Sequence, residues 1–196
     1  MSKKNSKEAS TAGPELEPKV FEIVGNRIYF YSEIERDKIL SLNKELRELD
    51  TAHISDKQKL GTSELVPIYL YINSYGGSVS AGFSAVDNIL SCKSPVITVV
   101  DGIAASAATL LSLAGSKRCM SEHSVMLIHQ LSTMMWGSYE QVGDCFKNAT
   151  LQMDMIVEYY TEKTKLTKVK LKEMLKRDLY FSAKECLEYG LIDVLI

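Results

Sequence analysis

A chain of 196 residues has room for one domain with a sizeable core, and 45% hydrophobic with 24% charged residues is ordinary for a globular protein. Its formal net charge of −2 offers no basic field to nucleic acid or to an anionic membrane, and no apolar run reaches bilayer length. The four cysteines, Cys92, Cys119, Cys145 and Cys186, have no paired spacing, so reduced core thiols are expected rather than zinc or disulfides.

The start, Met1-Ser2-Lys3-Lys4-Asn5-Ser6-Lys7-Glu8, is basic with no apolar stretch behind it, so no secretory leader is read and a cytoplasmic location is expected. Residues 1–18 are polar, carry two prolines and predict a poorly ordered tail before a single domain over 19–196. Residues 19–24 and 27–31 cluster β-formers around Gly25-Asn26 and predict two short strands. Ser32-Glu33-Ile34-Glu35 reads as a capping box, followed by Ile39, Leu42, Leu46 and Leu49 at helical spacing. Residues 50–67 are polar and aperiodic and predict a long surface loop.

Residues 68–73 predict a strand, 74–78 a turn, and Val79, Phe83, Val86 and Ile89 an amphipathic helix. The β-branched run 95–100 predicts a buried strand, and the small residues after Gly102 a wholly buried helix opened by Ser106. Residues 115–118 read as a turn, and 125–128 as a buried strand ending at His129. Tyr139 to about Lys163 is one long helix with an apolar stripe, too long for a compact crossover and expected to project. Leu171, Met174 and Leu175 mark a short helix, and a second capping box, Ser182 with Glu185, opens a last helix that Gly190 stops. Strand, turn and helix repeat through the middle of the chain, which argues for stacked right-handed β-α units in an α/β fold.

Gly76-Gly77, Ser106 and His129 each fall at a strand end, and neighbouring strand ends in an α/β fold open onto one crevice. A serine, a histidine and free backbone amides are the parts of acyl transfer. Each also has a plainer reading: a core serine bonded to its own turn, a structural histidine, a simple Gly-Gly turn. Spacing alone does not decide between them.

Five blocks carry a resemblance: Tyr71-Ile72-Asn73-Ser74-Tyr75-Gly76-Gly77-Ser78-Val79, Gly102-Ile103-Ala104-Ala105-Ser106-Ala107, Val125-Met126-Leu127-Ile128-His129-Gln130, Arg177-Asp178-Leu179-Tyr180-Phe181-Ser182-Ala183 and Glu188-Tyr189-Gly190-Leu191-Ile192-Asp193. In order and spacing this set resembles the ClpP family, the proteolytic subunit of the Clp ATP-dependent protease. The resemblance implies a crotonase-like fold of stacked β-α repeats with a long projecting helix. It implies a serine endopeptidase acting on unfolded polypeptides, with Ser106 as nucleophile, His129 as general base and Asp178 orienting the imidazole. The backbone amides of Gly77 and Ala107 would form the oxyanion hole, with no metal.

The same resemblance implies homo-oligomers, heptameric rings stacked as a tetradecamer, and a separate AAA+ Clp-type unfoldase as partner. No GxxxxGK[ST] loop occurs, so no cofactor is expected in this chain and ATP would be used by the partner ATPase. The chain departs from the family pattern at Tyr75 and Leu131, where proline is usual, and at Ile103, where glutamine is common. Ala107-Ala108 replaces a Met-Gly pair, Lys176 replaces an acidic residue, and residues 131–136 lack the usual glycines. The region before Arg27 is shorter than the family's, which bears on docking of the unfoldase. Two other readings stand beside the peptidase: a non-catalytic ring subunit paired with an active paralogue, and a crotonase-type acyl-CoA enzyme.

Overall fold

The computed structural model describes residues 21–196, so the expected tail over 1–18 and the first residues of the first expected strand lie outside the described residues. The elements in chain order are β1 (Phe21–Val24), β2 (Arg27–Phe30), α1 (Arg36–Leu60), β3 (Ile68–Ser74), α2 (Val79–Ser91), β4 (Val96–Ala105) and α3 (Ala107–Leu113). They continue with β5 (Lys117–Met120), β6 (Val125–Leu127), α4 (Tyr139–Lys163), α5 (Lys168–Met174), β7 (Tyr180–Ser182), α6 (Ala183–Glu188) and β8 (Val194–Leu195).

The sheet's main path runs in the order β1-β2-β3-β4-β5-β8, antiparallel along it only at the β1–β2 hairpin, with β6 parallel to β4 and β7 antiparallel to β6 off that path. Parallel neighbours need crossover connections, and α1, α2 and α3 supply them in turn. In β3 the alternation is plain: Ile68, Leu70 and Ile72 are buried, while Tyr69 and Tyr71 occupy the opposite face. The buried face meets Ile39, Leu42 and Leu46 of α1 and Ala85, Val86 and Ile89 of α2 in one core. Each such aliphatic side chain contributes about 1.5–3 kcal/mol before the entropy of ordering it is subtracted. The stacked β-α units and the long helix are those the sequence implies.

β4 shapes everything downstream. Its first half, Ile97 to Val100, pairs with β5, and its second half, Ile103 to Ala105, pairs with β6. Against β3 the register jumps from Ile72↔Val100 to Ser74↔Ala104, so Asp101, Gly102 and Ile103 bulge opposite Asn73 alone. Gly102 sits at φ +98, and a Cβ there would stand 2.6 Å from the Asn73 amide nitrogen. Ser124 Oγ accepts the Gly102 N–H at 2.7 Å and donates to the Val100 carbonyl at 3.2 Å, which pins the bend.

Several expectations are corrected here. Residues 50–60 are not loop: α1 continues to Leu60 and ends on Gly61 at φ 65, leaving only a short connection to β3. That polar stretch has no buried face but good helix formers, so it extends a helix already nucleated on the core. The box at Ser32–Glu35 does not form; Glu35 is the N-cap without a side-chain bond, because Ile34 is drawn into a bridge with Gly77. Residues 103–105 are strand rather than helix, since pairing of all three with β6, and of Ala104 with β3 as well, overrides the helical propensity of the two alanines; α3 begins only at Ala107. Lys117 and Arg118 already belong to β5, not to a turn, and β7 is a strand the apolar pattern did not reveal. Cys119 and Cys186 are buried and Cys92 is half-buried against the core, while Cys145 is exposed, so core placement fails for that one. Burial pushes the Cys186 thiol up to about 12.

Residues 139–148 of α4 are exposed on every side, and α4 enters the core only at Ile156 and Val157. The second capping box forms as read: Glu185 accepts the Ser182 N–H at 2.8 Å, and Ser182 Oγ accepts the Glu185 N–H at 3.4 Å. β7 runs antiparallel to β6, which carries the chain just before it, including Asp178, back toward the end of β6. Among the described residues no helix is long and apolar enough to cross a membrane.

Candidate active site

Ser106 follows the last residue of β4 and caps α3 at φ 53, ψ −126, the one non-glycine at positive φ among the described residues. Such backbone costs on the order of 1–3 kcal/mol and persists only where its surroundings impose it. Here they do. The Ser106 N–H donates to the Leu127 carbonyl of β6 at 2.8 Å, and the Ser106 carbonyl accepts from the Thr109 N–H at 3.0 Å and the Thr109 hydroxyl at 2.5 Å. On the remaining side lies Gly76, where a Cβ would stand 2.6 Å from the Ala105 carbonyl oxygen and 2.7 Å from Ser106 Cβ. Only glycine admits that approach.

Gly77 is held by its neighbours. The Ile34 N–H donates to the Gly76 carbonyl at 2.7 Å and the Ser78 N–H to the Ile34 carbonyl at 2.8 Å. In a parallel bridge of this pattern the intervening residue points its own amide the other way, so the Gly77 N–H faces away from Ile34. Ser74 Oγ accepts the Gly76 N–H at 3.1 Å and steadies a turn that Tyr75 enters without proline's fixed φ.

Gly77, Ser106, Ala107 and His129 line one cavity of about 270 Å³. Val79, Leu110, Ile156 and Tyr160 make its walls mainly apolar. His129 stands after buried Ile128, and the next residue is anchored by the Gln130 N–H donating to the Leu175 carbonyl at 2.8 Å. Asp178 comes less close: its Oδ1 is 3.6 Å from His129 Nδ1, and its side chain is 82% exposed. Among the described residues no hydrogen bond joins Ser106 Oγ to His129, although both face the same space. Lys176, at the position the family keeps acidic, is paired with Glu173 at 2.8 Å.

The structure therefore brings together Ser106, His129, Gly77 and Ala107, with Asp178 at the margin. Two side chains that the motifs did not single out join them, Thr109 behind Ser106 and Tyr160 behind Thr109. Burial holds the Tyr160 phenol well above the ordinary tyrosine range, so it remains a protonated donor. A hydroxyl closing the apolar stripe of α4 was the available signal, because a buried tyrosine needs a polar partner. Among the described residues no group of three or more His, Cys, Asp or Glu side chains gathers to hold a metal.

Stacked parallel β-α units with this cavity at the strand ends are the layout of a crotonase-like fold, and the Ser106 and His129 that line it are side chains of the kind a serine peptidase uses. Comparison with known proteins agrees. The Clp protease family model matches residues 24–196. The ATP-dependent Clp protease proteolytic subunit 1 of Shouchella clausii is 34% identical over 175 residues, covering 86% of this chain and 90% of that protein. Proteolytic subunit 3 of Synechococcus sp. (strain CC9902) is 41% identical over 135 residues, 66% of each. A solved ClpP1 mutant from Listeria monocytogenes superposes with a TM-score of 0.75 at 25% identity, covering 87% of this chain and 91% of that one. The chain belongs to the Clp protease family and is a ClpP-type serine peptidase subunit.

Proposed function

We propose that Ser106 is the nucleophile, His129 its general base and Asp178 the carboxylate that orients the imidazole. The N–H groups of Gly77 and Ala107 form the oxyanion hole. One observation carries this reading: the strained Ser106, His129 and both amide-bearing residues line a single cavity. Ser106 Oγ attacks the scissile carbonyl while its proton passes to His129 Nε2, and the two amides bind the tetrahedral oxyanion. Collapse returns the proton to the leaving amine, and water then hydrolyses the acyl-serine by the same steps. Closing the 3.6 Å gap between His129 and Asp178 is a small movement, and catalytic hydrogen bonds without substrate are often long.

The domain spans 19–196 behind a tail over 1–18. Copies of the chain assemble as stacked heptameric rings, a tetradecamer enclosing a chamber, in the cytoplasm. Trp136, Tyr139 and Phe146, large apolar side chains exposed together on one segment at and before the projecting half of α4, support self-assembly, since such concentrations of exposed apolar surface mark interaction sites. Unfolded polypeptide is delivered by a separate AAA+ unfoldase that uses the ATP, and this chain needs no cofactor. The test is cleavage of a fluorogenic peptide by the purified assembly beside Ser106→Ala, with fluorophosphonate labelling mapped by peptide mass. Loss of activity by a factor on the order of 10⁴–10⁶ and loss of label are expected in the variant. Wild-type protein that takes no label on Ser106 overturns the assignment.

A further inference from the structure

The Ser106 carbonyl and the Ala107 N–H belong to one planar trans peptide, so they point in opposite directions. Whatever fixes the carbonyl therefore aims the amide. The carbonyl is gripped from behind by two donors on one residue, the Thr109 N–H at 3.0 Å and the Thr109 hydroxyl at 2.5 Å. Thr109 has a single hydroxyl proton, and it is spent on that carbonyl. The hydrogen bond between Thr109 Oγ1 and the Tyr160 hydroxyl must then run from the tyrosine to the threonine. Thr109 is fully buried and Tyr160 nearly so.

We propose that Thr109 and Tyr160 are positioning residues for the oxyanion hole: a hydroxyl chain from α4 through Thr109 to the Ser106 carbonyl aims the Ala107 N–H into the cavity. The chain also polarises that peptide, because accepting at the carbonyl strengthens the donor at the other end of the same amide. Neither side chain has to touch the reacting atoms for this. A lone threonine bonding back one turn is common in helices. The buried phenol behind it has no local reason to be there. Tyr160 lies 51 residues further along the chain, so the contact is tertiary. This inference rests on the reading of Ala107 as an oxyanion donor.

The experiment uses the assembled full chain as wild type, Thr109→Val, Thr109→Ser, Tyr160→Phe and Ser106→Ala. The kcat and KM for a fluorogenic peptide are normalised to the sites titrated with fluorophosphonate, so any misfolded fraction is not counted. Thr109→Val and Tyr160→Phe are expected to lower kcat about tenfold at unchanged KM, short of the roughly 10²–10³ of deleting a donor outright. A peptide aldehyde, whose hemiacetal oxygen needs the same amide, should bind more weakly by the same factor. Thr109→Ser should keep most of the wild-type kcat. Unchanged kcat per titrated site in both hydroxyl-deletion variants overturns the proposal, as does a rise in KM alone, which would make Tyr160 merely a wall of the cavity. Should Thr109→Val fail to assemble, Tyr160→Phe decides. If Ser106→Ala retains activity, the reading of the site itself fails, an outcome distinct from the others.

Discussion

Replacing Gly76 by alanine should separate the close approach at the site from ordinary turn strain. The added methyl would lie 2.7 Å from Ser106 Cβ and 2.6 Å from the Ala105 carbonyl oxygen, both on backbone-anchored groups that cannot swing aside. Carbon atoms rest at about 3.5–4.0 Å, so the Ser106 turn must retreat by about 1 Å. A misplacement of about 1 Å can cost on the order of 10² in rate, and that is the expected fall in kcat. Alanine at φ +98 adds backbone strain to the overpacking, together roughly 2–5 kcal/mol, or about 5–15 °C in melting temperature for a domain of this size. Gly25→Ala is the control, because Gly25 is also left-handed, at φ +61, but its Cβ would meet nothing within 4 Å. It should lose only about 1–2 kcal/mol and no activity. Peptide hydrolysis per titrated site and thermal melts of both variants supply the readings. A Gly76→Ala protein with wild-type kcat, or one that melts with Gly25→Ala, would refute the claim that this glycine is there to admit Ser106.

The C-terminal segment is tied down by Arg118, whose guanidinium pairs with Asp193 and donates to the Lys163 and Gly190 carbonyls at 2.7 and 2.9 Å. Arg118→Ala is expected to cost roughly 2–4 kcal/mol, read as a lower urea midpoint. The Arg118 hydrogen bonds hold the Asp193 carboxyl below its ordinary 3.8, so its contribution is present above that value and is lost as pH falls through the depressed one. The melting-temperature gap between wild type and Asp193→Asn should therefore be full at pH 7 and shrink below about pH 4; a gap independent of pH would show that the ion pair is idle. On the projecting half of α4, Phe146 is 64% exposed, and Phe146→Glu should lower the solution mass by light scattering. An unchanged mass would remove this face from the assembly surface.

Much of the fold was legible because the core elements carry their own period. The alternation of β3 and the stripes of α1, α2 and the second half of α4 each bury one face against a neighbour, and burial is what periodicity records. The misreadings share a different cause. The end of α1 is helical without a buried face, and Ala104 and Ala105 are extended although alanine is a strong helix former, so in both places the conformation is set by what adjoins the segment. β7 is a short strand with little burial and could only be inferred from its partner β6. The site was legible as residue types at strand ends, but their meeting was not. Ser106 and His129 share a cavity because β4 leaves β5 for β6, a change of partner written in the Gly102 bulge and its hydrogen bond to Ser124. Thr109 and Tyr160 escaped notice because each looks like core until the hydrogen bonds between them are drawn.

That change of partner explains why the strain falls on a serine and not on a glycine. As β4 ends, the Ser106 N–H is taken by Leu127 of β6, while its carbonyl is taken by Thr109 of α3. These two bonds belong to elements running in different directions, and a residue serving both is left at φ 53. Glycine would reach that conformation more cheaply but would place no side chain in the cavity. The cost of an L-residue there, about 1–3 kcal/mol, is met by a helix buried along its whole length and a strand paired on both sides, both of which would unravel if the turn relaxed. Gly76 then serves the opposite need, bringing bare backbone up to the serine where any Cβ would collide, while a Cβ on Gly77 would collide with the Ile34 backbone on the other side. The rigid side of the site is thus backbone, fixed by the sheet before any substrate arrives. Its adjustable side is the loosely held pair His129 and Asp178, and movement during turnover should concentrate there.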